Sequence, residues 1–143
     1  MFRLYKGKTK VIQCPVAASG GAIAEGALVV YSSGTIIAAT SSTTCYETVG
    51  VLRKAIATTD ADYAVARMVP VEVPLDNNTE WEADVTATLV VADVGLYQDL
   101  TDSVTVNRGS STYDIVQCVR LISTTKGIFR LNIGNAGAAS VNA

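Results

Sequence analysis

Thr79-Glu80-Trp81-Glu82-Ala83-Asp84-Val85 is the stretch from which the fold is read. Three acids alternate with an apolar set, and a period of two places successive side chains on opposite faces of an extended strand. Trp81, the only tryptophan, is expected to face the core with Ala83 and Val85, and Glu80, Glu82 and Asp84 to form an acidic outer surface. Immediately before it, Leu75-Asp76-Asn77-Asn78 has the composition of a turn, because Asn and Asp tolerate left-handed backbone and bond their own main chain. The apolar stretch Tyr63–Val73 precedes that turn and contains Pro70, with Pro74 just after. Proline cannot donate to a ladder, so this strand is expected at an edge or at a change of partner. Downstream, Thr86–Asp93 fits either a continued strand or a short helical turn ending near Gly95.

The same pattern recurs along the chain. Ala27–Tyr31 and Thr35–Thr40 flank Ser32-Ser33-Gly34 as a hairpin with a glycine-containing loop. Tyr46–Ile56 reads as one strand, and Leu96–Leu100 and Ser103–Val106 as two short ones. At the end, Tyr113–Ile122 and Gly127–Ile133 flank Ser123–Lys126, with Phe129, Leu131 and Ile133 alternating against Arg130 and Asn132. Val, Ile and Thr supply 44 of the 143 residues, and such β-branched side chains favour pleated surfaces. Eight to ten short strands with regular turn signals give an all-β expectation: a small β-barrel or β-sandwich over residues 27–133. An extended N-terminal arm is expected over residues 1–26 and a flexible C-terminal tail over 134–143.

Composition excludes much chemistry. There is no histidine, which removes imidazole-based nucleophile activation and acid–base catalysis near neutrality. Cys14, Cys45 and Cys118 are far apart and form no C-x-x-C pair, so they are expected as reduced, compact hydrophobes. No P-loop, dinucleotide fingerprint or hydrolase elbow is present. Glu80, Glu82 and Asp84 have the multiplicity to hold a hard cation, but three acids on one strand are also what a half-exposed sheet looks like. The expectation is no enzyme, no cofactor and no bound metal. A net charge of −2 provides no field for nucleic acid. Neither a secretory leader nor a membrane span is read in the sequence.

Charge is unevenly distributed. Arg3, Lys6, Lys8 and Lys10 crowd the first ten residues, whereas eight acids and no base lie between Arg67 and Arg108. Such polarity suits a basic arm laid on an acidic surface of another copy or of a partner. It equally suits a terminal segment that folds back on its own barrel as a strand with a charged face.

These stretches together resemble the small capsid decoration, or head cement, proteins of tailed bacteriophages. The resemblance rests on Gly26–Val30, Thr35-Ile36-Ile37-Ala38-Ala39, Val49-Gly50-Val51-Leu52, Val69–Val73, Asp93-Val94-Gly95 and the closing hairpin to Ile133. It implies a structural protein on the outside of the virion, assembled in the host cytoplasm as a trimer or dimer. Such a protein binds the major capsid protein and cements neighbouring subunits. Carried onto this chain, Arg3, Tyr5, Lys6, Lys8 and Lys10 would make the contact to capsid or neighbour. Two other readings fit the same composition: an oligonucleotide-binding small β-barrel, and another virion subunit such as a tail protein.

Overall fold

A computed structural model of the chain describes residues 1–45 and 47–132. Eleven strands occur among them: β1 (Arg3–Lys6), β2 (Thr9–Val16), β3 (Leu28–Ser32), β4 (Thr35–Ala38), β5 (Thr48–Leu52), β6 (Arg67–Pro74), β7 (Glu80–Thr86), β8 (Tyr97–Asp102), β9 (Thr105–Asn107), β10 (Val116–Ser123) and β11 (Lys126–Leu131). The undecided segment before Gly95 is a single 3-10 turn at Val91–Asp93. The expected tail, 134–143, lies outside the described residues, as does Ile133.

The all-β small barrel is what the chain builds. Strands β7, β11, β10, β8 and β9 pair in that order, and β9 returns to β7 in parallel, so the ring closes. Closure removes the free edges that an open sheet exposes. The inward positions follow the period of two: Trp81, Ala83 and Val85 from β7, Leu100 from β8, Val106 from β9, Val116 and Cys118 from β10, Phe129 and Leu131 from β11. Trp81 is fully buried. A second sheet, ordered β2-β6-β5-β3-β4, carries its own core of Cys14, Val16, Val29, Ile36, Leu52, Val69 and Val71. Alternation lets this sheet serve both cores, since Leu28 and Val51 face the barrel while their neighbours Val29 and Leu52 face the second core.

One expectation is corrected. Residues 1–26 are not a separate arm. β1 adds to the barrel by pairing with β7, and β2 pairs with β6 along its whole length. Ile12, Cys14 and Val16 face the second core while Val11, Gln13 and Pro15 face away. Phe2 is buried in the barrel core, and its N–H donates to the Gly26 carbonyl at 2.8 Å. Between β1 and β2 the chain changes sheets at Gly7, whose φ of +115° and contact with the Thr79 backbone leave no room for a Cβ. β6 lies between β2 and β5, and its prolines stand where a change of partner is expected. It meets β5 only at Val71 and Glu72. The Pro70 carbonyl still accepts from Arg53 N–H at 3.0 Å, but proline has no N–H to return the bond, and the ladder stops there.

Candidate functional site

The structure brings the basic residues and the acidic surface together within one chain. In the β1–β7 pair, Arg3 lies opposite Glu82 and Lys6 opposite Glu80. Arg3 reaches Glu82 at 3.8 Å, Arg130 of β11 reaches Glu80 at 3.7 Å, and Lys126 reaches Asp84 at 3.6 Å. The N-terminal ammonium also bonds Asp84, at 3.1 Å. Burial pushes the Asp84 carboxyl up, but the ammonium and Lys126 outweigh it and hold its pKa below the ordinary value. Each acid of the predicted surface therefore has a cation of its own chain beside it. Among the described residues no group of three metal-capable side chains is placed to hold an ion.

Tyr5 and Arg120 meet over this outer face. The Arg120 guanidinium donates to the Tyr5 hydroxyl and lies 5.0 Å from the ring centroid, within cation–π range. Register places Ile128 between Glu82 and Arg120 on this same face, and Ile128 is nonetheless fully buried. Lys6, Lys8 and Lys10 remain exposed. Lys8 lies in the link between β1 and β2, where its carbonyl accepts from Leu75 N–H and Thr79 Oγ1.

A second cluster of carboxylates, not singled out from the sequence, organises the loops at one side of the barrel. Asp99 is buried on β8 and accepts from the N–H groups of Thr112, Tyr113 and Asp114 at 2.7–2.9 Å, and from the Ser110 hydroxyl. Asp93 accepts from Val90 N–H at 2.8 Å and from Arg108 Nε at 3.0 Å. Burial raises both carboxyls, but these hydrogen bonds prevail, and both titrate below the ordinary Asp value. Asp114 is shifted the other way, raised by burial and by the Asp99 charge. Asp99 has its oxygens filled by the loop, which it holds in place. The thiols of Cys45 and Cys118 are pushed up by burial, away from the thiolate that a nucleophile needs.

What the fold leaves open is apolar surface. Beyond the barrel, on the face of the second sheet that carries Leu28 and Val51, Val11 and Met68 are 52% and 56% exposed and Pro15 and Pro70 half-buried, with Gln13 and the Arg53-paired Glu72 standing among them. A second surface, around the 3-10 turn, carries Val90, Val91 and Val94, with Val91 77% exposed. In the sequence the first is masked by Arg3, Lys6, Lys8 and Lys10, which give the segment the composition of an arm. The alternation of Ile12, Cys14 and Val16 against Val11, Gln13 and Pro15 is the signal that would have found it. No protein-family model matches the chain, and neither a curated protein nor a solved structure is significantly similar to it.

Proposed function

We propose that this chain is a non-enzymatic structural protein of a phage virion, which attaches to the outside of the capsid and cements neighbouring major capsid subunits. The observation that carries the reading is the exposure of Val11 and Met68 on the paired strands β2 and β6, around Gln13 and the half-buried Pro15 and Pro70, in a chain whose acidic strand is paired internally. Apolar patches of this kind on an otherwise well-packed domain mark association surfaces. Cementing requires contact with two neighbours, and the turn Val90, Val91 and Val94 offers a second apolar surface on the barrel. The N-terminal residues act in this reading as part of the folded body: the terminal ammonium and Arg3 pair with β7, so attachment uses sheet faces instead of a free arm.

The test is co-sedimentation of the purified protein with tailed-phage capsids stripped of decoration proteins. The chain should pellet with the shells, and the double variant Val11→Lys, Met68→Glu should stay in the supernatant with an unchanged melting temperature, since position 11 lies opposite Glu72. A protein that ignores capsids, or whose binding survives both charges, contradicts the proposal.

A further inference from the structure

The barrel carries a second feature, on a different sheet from Val11 and Met68. Four strands align a row of side chains on the outer surface: Glu80 of β7 opposite Arg130 of β11, Arg130 opposite Gln117 of β10, and Gln117 opposite Tyr97 of β8. At about 4.8 Å between strands, the row is about 14 Å long. Over its centre and far end lies a groove of about 300 Å³, lined by Tyr97, Gln117, Arg130 and Asn132, with Asn77 and Asn78 from the β6–β7 turn.

The groove has a definite chemistry. Four of these side chains are carboxamides, each with donors and an acceptor on one planar group. Two are fixed by the fold: Gln117 Nε2 donates to the Gly95 carbonyl at 3.1 Å, and Asn132 Nδ2 to the Asp114 carbonyl at 2.9 Å. Those bonds use a donor of each amide and leave its oxygen to accept. Asn77 and Asn78 are exposed, and among the described residues their side chains make no hydrogen bond to the protein. Arg130 is matched by Glu80 at 3.7 Å, so the groove presents little net charge to an anion. Tyr97, 43% exposed as a residue, brings an aromatic ring to one end.

We infer that this groove binds a neutral oligosaccharide. Vicinal hydroxyls both donate and accept, as carboxamides do, and the C–H face of a pyranose ring matches a tyrosine ring. An anionic ligand would call for an unmatched cation, and a hydrocarbon ligand for an apolar lining. The inference does not rest on the capsid reading, since it is drawn from other residues and either can fail alone.

The experiment is an array of neutral glycans spanning gluco-, galacto-, manno- and N-acetylated units, probed with the full chain alongside sulfated and uronic-acid glycans. Positives are then titrated in solution while the side-chain amide signals of Asn77, Asn78, Gln117 and Asn132 are followed by NMR. Expected are one or more neutral glycans whose binding shifts those amides, is insensitive to salt, and weakens about tenfold or more in Tyr97→Ala. Because Tyr97 begins a strand, the loop variant Asn77→Ala, Asn78→Ala is measured as well and should also weaken binding, with the melting temperature kept. Binding of anionic glycans alone, no neutral glycan bound, or affinity indifferent to both variants overturns the inference.

Discussion

Asp99 shows how much structure a single side chain can hold. It sits outward on β8, where alternation alone predicts a solvated acid, and is instead 2% exposed beneath the 110–114 loop. Three backbone N–H groups and one hydroxyl converge on it. Asp99→Asn keeps the shape but turns an amide NH₂ toward N–H donors. The loss should be about 3 kcal/mol, the scale for disrupting a buried hydrogen-bonded charge, measured as a fall in the urea midpoint at pH 7. The pH dependence follows the same residue. Its folded pKa lies below the unfolded value of about 3.9, so its contribution is full above that value and disappears as pH falls through the lower, folded one. Asp93 acts in the same direction. Acid titration of stability should therefore be flatter in Asp99→Asn than in the parent chain. Equal slopes would show that Asp99 is not the group being protonated. None of this was legible in the sequence, where Asp99 is one more acid in a run of eight, because its partners lie 11 to 15 residues away in a loop. Trp81 was legible, because alternation within its own strand suffices to send it inward.

At the scale of elements, close approach of strands sets the narrowest tolerances. Gly50 on β5 faces the backbone of β6, and a Cβ built there would stand 2.3 Å from the Glu72 carbonyl oxygen. No side chain can rotate away to relieve such a clash. Gly50→Ala should cost about 3 kcal/mol, at the upper end for overpacking, read from chemical denaturation. A change under about 0.5 kcal/mol would mean that β5 can slide on β6. The hairpins were readable in advance: β3 and β4 flank Ser33 and Gly34, both at positive φ, and β10 and β11 flank Thr124-Thr125. Their partners are adjacent in sequence and turn chemistry announces them. The parallel return of β9 to β7 and the β1–β7 pair depend on packing between distant segments, and no local pattern encodes either. β2 lies between these cases: its alternation is local, but four cations in and around it give the segment the composition of an arm.

For the whole molecule, the claim on which the rest depends is that the N-terminal residues belong to the folded body. Phe2 fills the barrel core, β1 covers β7 with matching charge, and β2 forms an edge of the second sheet. The resulting body pairs its acidic strand internally and leaves Val11, Met68, Val91 and an amide-lined groove exposed. Deletion of residues 1–18 tests that claim most directly, with unfolding followed by circular dichroism and by Trp81 fluorescence. Deletion should abolish cooperative unfolding and expose Trp81 to water, because it removes two strands and a fully buried phenylalanine whose loss alone is worth about 3–5 kcal/mol. A truncated chain that melts cooperatively at the parent temperature with Trp81 still buried would contradict the account and return those residues to the role of a free arm.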